Sequence, residues 1–334
     1  MRLIIFSLLL LYSQLSWAIF TPETREILHH FPRKMKPIPL AEQEKTQSRQ
    51  EREGLIEHFS RKTPNPFDMS MAYPLQSERT SKQQVWLISY AGSSLPNDRS
   101  PKADAFFRNQ NFLHSTAINK GITGSIQYGK QDLDATFYQN NKTILDKPRG
   151  AGYWLWKPYI ILKTLNMIAE NDILIYLDSG CCIKKDLRPL LQDLETHDML
   201  VKHLELRNGP WTKRDLMILE NVDTPAFRKK KTLEASFIAM QNTTFTKQLI
   251  TKWMTMMKDP RKVTDTPSTK AKEYPFFKEH RHDQACLNVT VHTMQQERPH
   301  DCPVLAKSGA DLDPYILHHR RRIAKKSLMT QLKP

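Results

Sequence analysis

One aspartate, Asp178, closes the aliphatic run Ile173 to Leu177 in the stretch ILIYLDSGCC. A carboxylate at the C-terminal end of a buried strand stands at the edge where open α/β sheets bind ligands. There it can hold a divalent metal or a sugar hydroxyl, and it can equally cap the following turn, as Asp often does. Upstream lies YWLWK, Tyr153 to Lys157, preceded by Gly150 and Gly152. If this segment is extended, Trp154 and Trp156 project to one face and Tyr153 to the other. Tyr153, Trp154 and Trp156 can stack on a nucleobase or on the apolar face of a sugar, and Lys157 can meet a phosphate. Packing of at least one tryptophan in the core is the plainer alternative. A third cluster, EHRHDQ, runs from Glu279 to Gln284. Its His and Asp density suits a metal site or an acid and base pair, and also a surface capping loop. The fourth is WTKRD, where Trp211, Lys213, Arg214 and Asp215 offer an aromatic, two cations and an acid. It reads as a ligand-binding segment or as a solvated helix start.

Positioning these groups requires a frame, and the sequence predicts one. VWLISYA, Val85 to Ala91, reads as a buried strand running into the small-residue turn AGSS. Phe106 to Ile122 carries apolar residues at helical spacing, and a second strand is expected around Ser125 to Tyr128. Pro158 suits the first turn of a helix continuing over Tyr159 to Ala169, before the strand Ile173 to Leu177. Strands alternating with helices predict an α/β layer architecture. Downstream, DLRPLLQDLETHDMLVKHL predicts a short helix and a strand, and LEASFIAM a strand or the start of a buried helix. Phe245, Leu249, Trp253 and Met256 or Met257 form the core stripe of an amphipathic helix. HRHDQACLNVTVHTM reads as a loop followed by a short helix or strand.

The 334 residues carry a formal net charge of +15, with hydrophobic content of 39% that allows a sizeable core. Such an excess of cations favours anionic partners: nucleotide phosphates, acidic glycans, nucleic acid or an anionic membrane surface. Nucleic acid is the poorest fit of these. The sequence has no zinc-ligand spacing, RNA-binding aromatic signature or helix-turn-helix pattern. MRLIIFSLLLLYSQLSWA has the shape of an export signal, with Ser16 and Ala18 placed for small-x-small cleavage. Its apolar run is short of the roughly 20 residues of a membrane span. A cleaved signal or an uncleaved anchor therefore makes the protein exported or membrane-associated through its N-terminus. The expected organisation is a signal or anchor at 1–18, a polar stalk at 19–83, a folded domain at 84–310 and a basic tail at 311–334. Cys181 and Cys182 read as small buried thiols. Cys286 and Cys302 can close a modest loop in an oxidising compartment.

Taken together, the motifs carry a resemblance. A G-Y-W-x-W-K-P block (Gly152 to Pro158), a helix, and a Y-L-D-x-G-C strand end (Tyr176 to Cys181) are followed by WTKRD and by H-x-H-D-Q at His280 to Gln284. This order resembles a family of bacterial and related glycosyltransferase-like proteins. More remotely it is similar to nucleotide-sugar enzymes of the glycogenin-like and Och-type mannosyltransferase groups. The resemblance spans roughly Val85 to Val291 and implies a GT-A-like, Rossmann-like nucleotide-sugar-binding domain with a mixed central sheet. It implies sugar transfer from a nucleotide-diphosphate donor to a glycan, lipid or protein acceptor. Asp178, Asp283 and Asp215 become candidate catalytic residues. Tyr153, Trp154, Trp156, Lys157, Gly180, Trp211, Lys213, Arg214 and Gln284 become candidate substrate contacts. A divalent cation, Mn²⁺ or Mg²⁺, would be held by Asp178, His282 and Asp283. The leaving diphosphate would find its countercharge in that metal or in Lys157, Lys213 and Arg214.

One departure matters. A D-x-D pair requires a second carboxylate at position 180, and Gly180 stands there. Asp178 alone is a poor site for metals that take several oxygens. The alternative expectation is therefore a non-catalytic carbohydrate-binding or secreted effector protein on the same fold. A glycoside hydrolase is a weaker reading, because no pattern fixes two acids at a set separation.

Overall fold

The computed structural model describes residues 83–92 and 101–318. The signal or anchor expected at 1–18, the stalk up to residue 82 and the tail beyond residue 318 lie outside them. Eight strands are described: β1 (Val85–Tyr90), β2 (Gly124–Tyr128), β3 (Ile173–Leu177), β4 (Cys181–Ile183), β5 (Met199–Arg207), β6 (Lys231–Gln241), β7 (Val304–Lys307) and β8 (Ile316–His318). Six of them form one sheet in the order β2-β1-β3-β6-β5-β7. β1 is parallel to β2 and β3, and β7 is parallel to β5. β6 runs against both β3 and β5. The expected α/β class with a mixed central sheet is the one observed, with three parallel and two antiparallel pairings in the six-stranded sheet.

The central strands are covered on both faces, which is why they read as continuous apolar runs. On β3, Leu174 and Tyr176 enter one core with Ile88, Tyr90, Ile238 and Met240. Ile173, Ile175 and Leu177 enter the other with Leu87, Phe237 and Ala239. The helix α1 (Pro101–Thr116) packs on the second face through Leu113. The helices α2 (Trp156–Leu165), α3 (Thr244–Met257) and α4 (His282–Glu297) cover the first, with α3 touching both α2 and α4. The stripe expected on α3 is buried as predicted, at Phe245, Leu249, Trp253, Met256 and Met257. Its start is fixed by Thr243, whose Oγ1 accepts the Thr246 N–H at 3.2 Å.

Several expectations are corrected. α2 ends at Leu165, not Ala169. Beyond it the Asn242 amide donates to the carbonyls of Ile168 and Ala169, and Asp172 accepts the Ala169 N–H. LEASFIAM is strand, within β6. HDQACLNVTVHTM lies within a helix of 16 residues, His282–Glu297, buried over most of its surface. Such wrap-around burial removes the one-sided pattern that identifies a helix. Folded structure also continues past residue 310. A short helix, Gly309–Leu312, and β8 follow, with Leu312 and Ile316 buried and β8 paired antiparallel to β4. Cys286 and Cys302 do not bond: all four cysteines are free thiols, with Cys181 and Cys182 buried as expected.

Candidate functional site

β3 carries Asp178 to its C-terminal end, where the Asp178 N–H donates to the Ser236 carbonyl on β6 at 2.9 Å. α4 starts beside it and holds Asp283 in its first turn, the favourable end of a helix for a carboxylate. Between the two lies Lys157 from the first turn of α2, only 2% exposed. Its Nζ stands 2.5 Å from Asp283 Oδ2 and 3.3 Å from Asp178 Oδ1, and donates to the Ala235 carbonyl at 3.0 Å. The Tyr176 hydroxyl donates to Asp178 Oδ1 at 2.6 Å, and the lysine ammonium sits 5.1 Å from the Tyr176 ring centroid. An ammonium this deep is strongly disfavoured unless paired and hydrogen-bonded. Burial acts to lower the Lys157 pKa, but Asp178 and Asp283 outweigh it and hold the amine above its ordinary range. Burial likewise pushes the Asp283 carboxyl up, against the pull of Lys157. Lys157 is thus an internal cation that joins two elements, and not the surface phosphate contact expected from sequence.

The aromatic segment is also rebuilt. The segment is not extended: Gly150, Ala151, Gly152, Tyr153 and Trp154 all have positive φ, between 51° and 97°. Gly152 is required there: at φ +97° a Cβ would lie 2.6 Å from Leu145 Cα. The left-handed turn sends the two tryptophans to different environments. Trp156 is core, stacked on Tyr90 at 3.8 Å with its Nε1 donating to the Gly150 carbonyl. Tyr153 and Trp154 stay half-exposed as a lip over His282, at 5.0 and 5.5 Å between ring centroids.

His282 itself has φ 43°. It is buried, with Nδ1–H donating to the Val263 carbonyl at 2.8 Å and Nε2 lying 3.5 Å from Asp265 Oδ1. His280 donates from Nε2 to the Lys262 carbonyl at 2.8 Å and accepts the Lys213 N–H on Nδ1. Desolvation lowers both imidazole pKa values, that of His280 well below its ordinary value.

WTKRD is not a solvated helix start. Thr212, Lys213 and Asp215 are buried, and Lys213 and Asp215 tie down the loop at 264–270. Lys213 Nζ donates to the carbonyls of Thr264 and Thr266 at 3.3 and 2.5 Å. Arg214 bonds Asp223 Oδ2 and the Lys272 carbonyl, and lies over the Tyr274 ring at 4.2 Å. Asp215 accepts the N–H groups of Thr269 and Lys270 at 2.9 and 2.7 Å. Trp211 is half-buried under the guanidinium of Arg281, 4.5 Å from its centroid. Burial raises the Asp215 pKa, but these backbone donors outweigh it and bring the carboxyl below its ordinary range.

Asp215 therefore holds a loop and is not brought to Asp178 and Asp283. Asp215→Asn is expected to cost about 1.5–3 kcal/mol of stability while sparing the turnover of the folded fraction. A group with a depressed folded pKa stabilises above its unfolded pKa, so this deficit should shrink as pH falls below about 4. Thermal melts against pH, with turnover per folded molecule, check both points.

Gln284 follows Asp283 in α4 and is half-buried; its carbonyl accepts the Asn288 amide at 2.7 Å. At Gly180 the nearest group to an added Cβ is the His318 ring, at 3.5 Å, an ordinary contact. His318 was read as part of the basic tail, and nothing in the sequence signalled that β8 returns it to this corner. Among the described residues no group of three or more His, Cys, Asp or Glu side chains is placed to hold a metal ion. His282 is turned to Val263 and Asp265, and Lys157 stands between the carboxylates of Asp178 and Asp283. The expected set Asp178, His282 and Asp283 does not fit a divalent cation.

No family model matches the chain, and no curated protein matches it. Among solved structures, it is similar to mouse xyloside xylosyltransferase 1, at 10% identity and TM-score 0.36, over 67% of this chain and 84% of that one. A glycosyltransferase involved in glycosylation of the major capsid of PBCV-1 gives 8% identity and TM-score 0.37, over 75% of this chain and 100% of that one. The galactosyltransferase LgtC, in complex with donor and acceptor sugar analogs, gives 12% and 0.33, over 67% and 73%. Likeness at this level fixes neither a family nor an activity.

Proposed function

We propose that the protein transfers a sugar from a nucleotide-diphosphate donor to a hydroxyl of a glycan, lipid or protein acceptor. The observation that carries this reading is the Asp178–Lys157–Asp283 bridge at the C-terminal ends of the parallel strands, where α/β sheets take their ligands. Asp178 is the accessible member, its side chain 30% exposed. Oδ1 is taken by Tyr176 and Lys157, which leaves Oδ2 to accept a hydroxyl of the donor. Asp283 is buried and paired, so it acts as a positioning residue: it fixes the ammonium that fixes Asp178. Tyr153 and Trp154 provide partly exposed rings for a sugar or base face, while Trp156 only supports them. The apolar, small-x-small pattern of residues 1–18 supports an export signal or anchor, and with it an exported or membrane-associated protein.

A panel of nucleotide sugars tests the reading by donor hydrolysis and transfer. At least one donor is expected to turn over, and Asp178→Ala is expected to lower kcat/KM on the order of 100-fold or more with an unchanged melting point. If no donor turns over and none shifts the melting point, the non-catalytic carbohydrate-binding alternative takes its place.

A further inference from the structure

β5 and β6 do not stop at the level of Asp178. The Asp178 N–H meets the Ser236 carbonyl, yet the ladder of β6 with β5 continues back to Lys231, opposite Arg207. At roughly 3.3 Å per residue, the two strands raise a wall of about 16 Å beyond Asp178. β5 and β3 both run against β6, so this wall stands on the edge of the sheet that carries Asp178. Phe276 caps its tip: a Cβ added at Gly209 would lie 3.1 Å from the Phe276 ring and 3.2 Å from Arg228 Cβ. From there the chain returns to the inner site. The Lys278 N–H donates to the Pro210 carbonyl at 2.8 Å and the Arg281 N–H to the Trp211 carbonyl at 3.0 Å. α4, with Asp283 in its first turn, begins at the next residue.

Rings and cations alternate along this path. Phe276 stacks on Tyr274 at 4.9 Å, and the guanidiniums of Arg214 and Arg228 lie over Tyr274 at 4.2 and 4.6 Å. Trp211 carries Arg281 at 4.5 Å and Lys278 at 5.4 Å. The neighbouring acids are already spent: Asp223 accepts from Arg214 and Arg228, and Glu279 pairs with Arg281. Arg207, Lys229 and Lys278 are exposed and have no carboxylate partner among the described residues. Positive charge is thus in surplus at the tip that Phe276 caps, and Phe276 is 46% exposed. An open ring beside uncompensated cations suits a ligand that combines an apolar face with negative groups. Nucleic acid would need successive open rings, whereas Tyr274 and Trp211 are covered by cations. A membrane would need a broad apolar face, and only Phe276 and Leu206 are open here.

We propose that the acceptor is an anionic glycan, a chain of sugars bearing carboxylates or phosphates, that runs from Asp178 along the β5–β6 wall. One sugar ring sits on Phe276, and the negative groups meet Arg207, Lys229 and Lys278. The acceptor role rests on the glycosyl-transfer reading above; the glycan-binding surface does not. A wall of this height also favours a chain over a single sugar, because one ring cannot reach both Asp178 and Phe276.

Calorimetric titration of the full chain tests this with a galacturonate hexamer, a phosphomannan, uncharged maltohexaose, single-stranded oligothymidine and phosphatidylglycerol vesicles. The galacturonate hexamer or the phosphomannan should bind, and the tighter of the two identifies the charged group. Maltohexaose should bind at least about tenfold more weakly, and affinity for the charged glycan should fall as salt rises. The triple variant Arg207→Gln, Lys229→Gln, Lys278→Gln should lose about tenfold in affinity with an unchanged melting point. Phe276→Ala should lose about threefold or more by itself. A control that removes the same charge elsewhere, Lys185→Gln, Lys247→Gln, Lys258→Gln, should bind like the natural chain. Equal losses in the two triple variants, or no binding of either charged glycan, overturn the inference. So does tighter binding of oligothymidine or vesicles that the Arg207, Lys229 and Lys278 changes abolish. The donor panel is scored separately. Donor turnover without glycan binding removes this inference alone, whereas glycan binding without turnover of any donor removes the acceptor role together with the transferase reading.

Discussion

Asp283→Ala should unfold at markedly lower denaturant, with a stability loss of about 3–5 kcal/mol, the range for a buried pair that loses one partner. The size follows from what stays behind. Lys157 remains buried, with one carbonyl and the more distant, partly exposed Asp178 to compensate its charge. Asp283→Asn keeps the volume and an oxygen within reach of the ammonium, so its loss should be smaller, roughly 1–3 kcal/mol. The pH dependence gives an independent reading. Without Asp283, burial is less opposed and the folded-state pKa of Lys157 falls below its unfolded value. The unfolded chain then binds more protons, so stability rises with pH, and the deficit of the alanine variant should shrink towards pH 10. Urea titrations at pH 7 and 9.5 check both. A loss within about 0.5 kcal/mol, the level of an ordinary surface change, would show that the ammonium is not held as described.

What could be read from the sequence follows the range of the forces involved. β1, β2 and β3 were legible because apolar runs bounded by turn residues are local signals, and Asp178 was legible because it directly follows β3. α3 was legible because one face alone meets the core. The partners of Lys157 were not, since Asp283 lies 126 positions away and a lysine beside tryptophans looks like a surface group. The left-handed turn at 150–154 escaped for a similar reason. The sequence left the backbone of this segment open, while the packing of Gly152 against Leu145 decides it. WTKRD looked like a charged surface because the groups that compensate Lys213 and Asp215 sit more than 50 residues downstream, in Thr264, Thr266, Thr269 and Lys270. Composition shows charge, but only the fold shows what neutralises it. That difference moved Lys157, Lys213 and Arg214 from the donor side of the cleft into the protein's own framework.

Lys157→Met carries the second large effect and separates position from stability. Methionine fills similar volume without charge, so the packing against α4 and β6 is largely kept while Asp283 loses its cation. At neutral pH the loss should again be about 3–5 kcal/mol. Burial already pushes the Asp283 carboxyl up, and Lys157 is what restrains it. With the lysine gone, the folded chain binds a proton more readily than the unfolded chain, so stability falls as pH rises through the folded pKa. The methionine variant should therefore be least impaired near pH 4–5 and most impaired above neutrality, opposite in sign to Asp283→Ala. The double variant Lys157→Met, Asp283→Leu removes both charges and should be more stable than either single change, with a coupling of about 1–3 kcal/mol. Its activity should nevertheless stay as low as that of Lys157→Met, because Asp178 loses the ammonium that orients Oδ1. Recovery of turnover together with stability would reduce the bridge to a packing device, and the positioning role of Lys157 would be lost.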